Sequence, residues 1–146
     1  MRTKVCSFSQ AAEAICALVR AGRSALAVGP RASGKTALLE AVRGKLEAEG
    51  IAAEFARGWE APPRLGRLSL GGGGSAAIVD DGPSLKGILG FAERGGAVLA
   101  ALEGFGSLEE LRADPLFEAA AGRFAAAAIL ERRGAFSEPS VLLAEW

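Results

Sequence analysis

Histidine is absent from this sequence of 146 residues. Histidine is the usual general base near neutral pH, and it completes the Ser-His-Asp arrangement and many zinc sites. Chemistry that depends on histidine, including His-ligated zinc, is therefore excluded. Cysteine is scarce, with only Cys6 and Cys16, whereas small secreted domains usually need more disulfide bonds. We predict that both are buried free thiols; a disulfide or a metal-binding pair is the alternative.

The sequence also lacks an excess of charge of either sign, because 17 basic residues balance 17 acidic ones. This balance does not indicate nucleic acid or an acidic membrane as a partner. No apolar run approaches the ~20 residues of a transmembrane helix. The polar residues that follow the basic segment 1–4 do not form the apolar centre of a signal peptide. We therefore expect no membrane span and a cytoplasmic location.

Apolar residues make up 50% of the chain, which is enough for the core of one domain spanning 1–146. Short apolar runs that suit buried strands alternate with segments of helical periodicity. We predict strands at 24–28, 51–55, 76–79, 97–102, 125–131 and 141–143, helices at 11–20, 35–49, 84–93 and 115–123, a short helix from 107, and capping boxes at 7–10 and 107–110. This alternation predicts an α/β fold, with a parallel sheet and helices on both faces.

Five consecutive residues, Gly71 to Ser75, have the composition of a flexible linker within this domain. Composition alone does not separate a natural glycine run from an engineered bridge that replaces a longer loop. In either case, we expect the segment to be mobile and to have no catalytic role.

A phosphate-binding motif lies between the first predicted strand of this pattern and the helix that follows it. The residues are Gly29-Pro30-Arg31-Ala32-Ser33-Gly34-Lys35-Thr36, which match Gly-x-x-x-x-Gly-Lys-Thr at every fixed position. The glycines let backbone N–H groups converge on phosphate oxygens, next to the positive end of the helix. We predict that Lys35 reaches the β- and γ-phosphates and that Thr36 coordinates Mg²⁺. Without a ligand, its ammonium is expected near the surface.

The second predicted element of the site is Asp80, at the end of the apolar run 76–79. A carboxylate in this position suits the Walker B role, in which it holds a water on the Mg²⁺ bound at Thr36. An acid in a strand-terminal turn is the alternative, because Asp81-Gly82-Pro83 is also a good turn sequence.

Hydrolysis requires a further group that orients the attacking water. Asp81 is the first candidate, and Glu60 and Glu103 are weaker ones. An arginine finger would come from a set whose members the sequence does not distinguish. These are Arg94, Arg112, Arg123, Arg132 and Arg133.

The order of strand, motif 29–36, helix, strand and then Ala76-Ala77-Ile78-Val79-Asp80-Asp81 resembles the P-loop NTPases of the RecA/AAA+ class. This resemblance implies a three-layer αβα fold with a mainly parallel five-stranded sheet in the order 5-1-4-3-2, and the last two strands allow a C-terminal antiparallel hairpin. It also implies ATP and Mg²⁺ as ligands, and assembly into a ring or another protein complex.

Two groups within that class are similar to different parts of the chain. The segment 78–81 looks like the acid pair of AAA+ replication initiators and helicase loaders. The segments 17–24 and 92–102, and the ending 129–134 followed by 141–143, look like the ATPases of secretion, type IV pilus and conjugation systems.

The sequence leaves three functions open. The first is an ATPase core that couples nucleotide state to a partner in a motor, secretion or DNA-processing assembly. The second is a nucleotide-binding subunit that regulates or assembles a complex without hydrolysis. The third, ranked last, is a kinase acting on a small molecule. ATP is favoured over GTP because the chain contains no Asn-Lys-x-Asp motif.

Overall fold

A computed structural model describes residues 2–30, 33–57, 75–82, 85–92, 97–102, 104–130 and 140–146, with the backbone alone described for 52–57, 75–77, 81–82 and 90–92. Strands and helices alternate along these residues. They are β1 (Arg2–Ser7), α1 (Phe8–Arg20), β2 (Ser24–Val28), α2 (Lys35–Ala48), β3 (Ala52–Arg57), β4 (Ser75–Gly82), α3 (Leu85–Ala92), β5 (Ala97–Leu102), α4 (Leu108–Ala113), α5 (Phe117–Arg123), β6 (Phe124–Leu130) and β7 (Ser140–Glu145).

The strands of these ranges join one mixed sheet of seven strands in the order β1-β7-β6-β2-β5-β4-β3. Neighbouring strands pair in parallel from β6 to β3, whereas β7 pairs antiparallel with both β6 and β1. The predicted P-loop NTPase sheet, mainly parallel with five strands in the order 5-1-4-3-2, is therefore wrong. Two more strands belong to the sheet, and they make one of its edges antiparallel.

Strand β1 is the element that the sequence pattern does not reveal. Its first four residues are exposed, and only Cys6 is buried. A half-buried strand usually announces itself by alternating apolar and polar residues, and β1 lacks that alternation. It forms by backbone pairing with β7, from Arg2 opposite Glu145 to Ser7 opposite Ser140. Its position therefore depends on residues at the other end of the chain.

The side chains of β2 alternate between two hydrophobic clusters on opposite faces of the sheet. Ala25 and Ala27 belong to the cluster under α1 and α2. Leu26 and Val28 belong to the cluster under α3, α4 and α5. All four residues are completely buried, so β2 is enclosed by strands on both edges and by helices on both faces.

In the cluster under α1 and α2, the sheet supplies mainly alanine and the helices supply the larger side chains. The alanines are Ala25, Ala27, Ala97, Ala101, Ala126 and Ala128, and the larger helix residues are Ile15, Val19, Leu38, Leu39, Val42 and Leu46. This division of volume lets both helices lie close to the sheet, because protein interiors are packed as densely as organic crystals.

The predicted capping box at the start of α1 is confirmed. Gln10 N–H donates to Ser7 Oγ at 3.2 Å, and Ser7 N–H donates to Gln10 Oε1 at 3.0 Å. At α4, Glu110 N–H donates to Ser107 Oγ at 3.2 Å, but the Glu110 carboxylate accepts from Gly106 N–H at 2.6 Å. The second capping box therefore differs from the prediction by one residue on its carboxylate side.

None of the helices in the described ranges is long and apolar enough to cross a membrane. Residues 71–74 of the predicted Gly/Ser linker lie outside those ranges, and Ser75 is the first residue of β4. The linker and the single-domain assignment of 1–146 stay predictions.

We expect Ala101→Leu to lower the free energy of unfolding by about 1–3 kcal/mol, the usual cost of overpacking a core. Ala101 is 1% exposed and lies under α1 and α2, where the extra carbons of leucine have no space. Urea-induced unfolding followed by circular dichroism measures the change. The matched control is Ala119→Leu at an exposed site on α5, which we expect to change stability by less than ~0.5 kcal/mol. Equal losses in the two variants would contradict the packing argument.

Candidate functional site

The loop after β2 begins at Gly29, which packs against the end of β6. A Cβ atom on this residue would lie 2.5 Å from the Leu130 carbonyl oxygen and 2.7 Å from Ser33 Oγ. Both distances are shorter than real Cβ contacts. Only glycine lets the chain pass between β6 and the remainder of the loop, so this glycine of the motif has a packing cause.

Helix α2 begins directly after Gly34, which occupies the N-cap position with a φ of 100°. This left-handed conformation favours glycine. The first N–H groups of a helix have no partner within the helix, and the first turn of α2 contains no acidic residue. The amino end of α2 therefore presents partial positive charge, which attracts an anion.

Lys35, the first residue of α2, turns its side chain back over the loop. Its Nζ donates to the carbonyl oxygens of Gly29 at 2.7 Å and Pro30 at 2.9 Å. The residue is only 7% exposed, so the expectation that its ammonium lies near the surface is wrong. The physical reason is that a buried cation needs hydrogen-bond acceptors, and the carbonyl groups of the loop supply them.

The two residues assigned to metal binding, Thr36 and Asp80, are hydrogen-bonded to each other. Thr36 Oγ1 donates to Asp80 Oδ2 at 2.8 Å. Thr36 is exposed, whereas Asp80 is 5% exposed on β4. Because the hydroxyl is the donor in this hydrogen bond, the lone pairs of the Thr36 oxygen remain available to a cation.

Asp80 lies in an irregular part of β4. The register with β5 shifts between Val79 and Gly82, so Asp80 and Asp81 together lie opposite one residue, Ala101. This arrangement is a β-bulge, a feature that redirects side chains and is frequent next to active sites. The side chain of Asp81 lies outside the described part of the structure, and its role in orienting water stays a prediction.

The other candidate residues of the site fall into two groups. Outside the described residues lie Arg31, Ala32, Glu60, Arg94, Glu103, Arg132 and Arg133. Of the candidate arginine fingers, Arg112 on α4 and Arg123 at the end of α5 are described, and both are exposed. Arg123 directly precedes β6, which runs parallel to β2, so it lies at the sheet edge opposite the loop after β2. Arg123 is therefore excluded as an arginine finger for the loop of its own chain.

Leu130 is a neighbour of the loop that sequence reasoning does not identify. Besides its carbonyl oxygen at Gly29, its Cδ2 lies 3.6 Å from the position of a Cβ on Gly34. No local pattern signals these contacts, because they arise only when β6 lies beside β2. Ser33 does belong to the motif; it is 6% exposed, and its Oγ has no hydrogen-bond partner among the described residues. An unpaired hydroxyl in this position is a donor for a ligand.

Both cysteines are buried free thiols, as predicted. Cys6 Sγ donates to the Val141 carbonyl oxygen at 3.6 Å. Burial raises the pKa of both thiols, and the nearby Glu49 carboxylate raises that of Cys16 further. A raised pKa means little thiolate, which is the reactive and metal-binding form. Neither cysteine is therefore suited to nucleophilic or metal chemistry.

Comparison with models of known protein families and with curated proteins gives no match for this chain. The resemblance to the RecA/AAA+ class depends on the motif residues alone and stays a prediction. The geometry around the loop after β2 therefore carries the functional argument.

We expect Gly29→Ala to destabilise the protein by about 1–3 kcal/mol, because the added carbon overpacks the contact with the Leu130 carbonyl group. Gly44→Ala is the matched control on α2. A Cβ on Gly44 would have no neighbour within 4 Å, so this change should stabilise the helix by about 0.5–1 kcal/mol. Chemical denaturation of both variants measures the difference. A harmless Gly29→Ala would show that the loop does not need glycine for the close approach to β6.

Proposed function

We propose that the chain binds ATP with Mg²⁺ through the loop 29–36. The observation that carries this proposal is the 2.8 Å hydrogen bond from Thr36 Oγ1 to Asp80 Oδ2. It brings a hydroxyl and a carboxylate together beside the amino end of α2. Oxygen ligands of this kind suit Mg²⁺, which prefers one or two protein ligands together with water and phosphate oxygens.

The described residues of the loop divide the work of holding the phosphates. Gly29 and Gly34 keep the backbone free of side chains, so N–H groups can approach phosphate oxygens closely. The first turn of α2 adds its partial positive charge. Ser33 contributes a buried hydroxyl that has no other partner among the described residues. Lys35 supplies a full positive charge for the β- and γ-phosphates.

Nucleotide binding requires Lys35 to exchange its hydrogen bonds. Its ammonium donates to the neutral carbonyl oxygens of Gly29 and Pro30. A phosphate oxygen is a charged acceptor, and hydrogen bonds between charged groups are about twice as strong as neutral ones. The exchange therefore favours an anionic ligand over the internal contacts.

The hydrogen bond between Thr36 and Asp80 fits Mg²⁺ on chemical grounds. The Thr36 oxygen can coordinate the cation through its lone pairs, while the Asp80 carboxylate accepts hydrogen bonds from the hydroxyl and from water. The bound cation neutralises charge on the β- and γ-phosphate oxygens. ATP is the proposed nucleotide because the chain lacks the Asn-Lys-x-Asp motif that reads guanine.

The cellular role belongs to the same proposal. The chain would couple its nucleotide state to a partner in a larger assembly, with a ring of identical chains as one arrangement. Two buried free thiols suit a reducing compartment such as the cytoplasm, where ATP and Mg²⁺ are both available.

We expect Lys35→Ala to weaken binding of Mg²⁺-ATP by ~100-fold or more, since each hydrogen bond to a charged group contributes about 1.5–3 kcal/mol. Isothermal titration calorimetry measures the affinity. Asp80→Asn should lower the affinity in the presence of Mg²⁺ and leave the affinity in EDTA unchanged, because its role is to hold the water around the cation.

The control for charge is Lys86→Ala, at an exposed site on α3, which should bind ATP like the parent chain. Circular dichroism verifies that each variant is folded. Unchanged ATP affinity in folded Lys35→Ala would overturn the assignment of the loop.

Hydrolysis by a single chain should be slow. Arg123 lies at the wrong edge of the sheet to act as an arginine finger in its own chain, and such a finger contributes ~10³–10⁵ in rate. We expect a phosphate-release assay on dilute protein to give less than about 1 s⁻¹, the lower end of typical enzyme turnover. Asp81→Asn should abolish any residual turnover while ATP binding persists. Turnover above that value in a dilute monomer would contradict this expectation.

A non-hydrolysing regulatory subunit is the second candidate function. The observation in its favour is the exclusion of Arg123 as a finger in its own chain. Phosphate release measured at increasing protein concentration separates the two functions: an ATPase that needs a neighbouring chain accelerates on assembly, whereas a regulatory subunit does not.

A further inference from the structure

Four neighbouring strands bring positive and aromatic side chains to the edge of the sheet opposite the ATP loop. Arg23 directly precedes β2, Arg123 directly precedes β6, Trp146 directly follows β7, and Arg2 is the first residue of β1. These strands are consecutive in the sheet. The backbone register also places Ser24 opposite Phe124, so the two arginines enter adjacent strands at the same level.

Two adjoining cavities open at this edge, and we call them together the arginine recess. One of about 350 Å³ is lined by Arg2, Arg23 and Trp146 among others. The other, of about 340 Å³, is lined by Arg23, Arg123 and Trp146 among others. Cavities of this size lie at the lower end of the range for small-molecule sites. The length of β2, five residues at about 3.3 Å each, separates the recess from the ATP loop.

The arginines of the recess lack ion-pair partners within the described part of the chain. The ion pairs of the described residues involve Arg20, Arg43 and Lys45. Glu145 lies opposite Arg2 in the β1–β7 register, yet neither it nor an α-carboxylate on Trp146 forms an ion pair with these arginines. The whole chain carries no net charge, so this is a local concentration of positive charge.

Trp146 adds a directional donor to the recess. Its ring packs edge-on against Phe117, with centroids 5.5 Å apart and an interplanar angle of 67°. Its backbone N–H donates to the Ala125 carbonyl oxygen at 3.2 Å. The indole Nε1 is buried and has no hydrogen-bond partner among the described residues. A buried N–H without an acceptor is unusual in proteins, and it requires an explanation.

We propose that the arginine recess binds a small oxyanion, a molecule that carries a carboxylate or phosphate group. Guanidinium and indole groups are donors only, so the ligand must supply acceptors. The planar guanidinium fork matches the oxygens of both kinds of anion. The ligand also gives the Trp146 indole N–H the acceptor that the described residues do not provide. This site is independent of the proposed ATP site.

Nuclear magnetic resonance on ¹⁵N-labelled protein tests the proposal directly, with succinate and inorganic phosphate as probes. The indole N–H resonance of Trp146 is assigned with the Trp59→Phe variant, because Trp59 is the second of the two tryptophans. We expect saturable shifts of the Trp146 indole resonance with at least one probe. The probe that saturates at lower concentration identifies carboxylate or phosphate as the preferred group.

Matched variants separate a built site from general charge attraction. Arg23→Gln and Arg123→Gln should each raise the dissociation constant by ~10-fold or more, because each removes charge-assisted hydrogen bonds. Arg112→Gln, at an exposed site on α4 outside the recess, should change it by less than ~2-fold, because exposed charges interact weakly. Lys35→Ala should leave the shifts of the Trp146 resonance unchanged.

Three results would overturn the proposal. The first is the absence of a saturable shift of the Trp146 resonance with both probes. The second is equal weakening by Arg112→Gln and Arg123→Gln, which would indicate attraction by overall charge. The third is loss of the shift in Lys35→Ala, which would place the binding event at the ATP loop. Failure of ATP binding with a retained shift would contradict the proposed function alone.

Discussion

The complete burial of β2 is the constraint on which the rest of the structure depends. Ala25, Leu26, Ala27 and Val28 have no exposed surface, because strands flank β2 and helices cover both faces. A strand enclosed in this way can present chemical groups only at its two ends. Its carboxyl end leads into the loop that approaches α2, and its amino end opens into the arginine recess. Both proposed sites are therefore consequences of one buried strand.

The alanines of the sheet make this enclosure possible. Because β2, β5 and β6 contribute small side chains toward α1 and α2, the helices approach closely with their leucine, isoleucine and valine side chains. Close packing places the amino end of α2 directly above the end of β2. The loop must then turn sharply between them, and glycine at positions 29 and 34 is what allows that turn.

Polar groups around the loop have internal partners that a ligand would exchange or use. Lys35 donates to carbonyl oxygens of its own loop, and Thr36 donates to Asp80. These hydrogen bonds keep a buried ammonium and a buried carboxylate from lacking partners. They also hold the groups within the loop, so binding replaces one set of hydrogen bonds with another and needs no large rearrangement of the fold. Ser33 differs, since its buried hydroxyl has no such partner among the described residues.

Local pattern predicts many of the elements and part of the site. The strands at 24–28 and 97–102 agree with the sequence-based bounds, because runs of buried apolar residues ending at glycine or acid mark strands wherever they pair. The capping box at Ser7 and the buried thiols also follow from local chemistry. The predicted five-stranded sheet fails at β1, whose exposed polar residues carry no local signal. The predicted exposure of Lys35 fails because the sequence does not specify the direction of the loop carbonyl groups.

The sequence by itself determined which residues form the loop 29–36 and which chemistry those residues can perform, because glycine, lysine and threonine have these properties in any fold. It also determined that histidine chemistry is excluded. Tertiary structure alone decided that Thr36 meets Asp80, that Leu130 closes over Gly29, and that arginines from separate strands share one recess. Each of these contacts joins residues far apart in the chain. They exist only after the strands are ordered, and that order is set by the packing of both faces of the sheet.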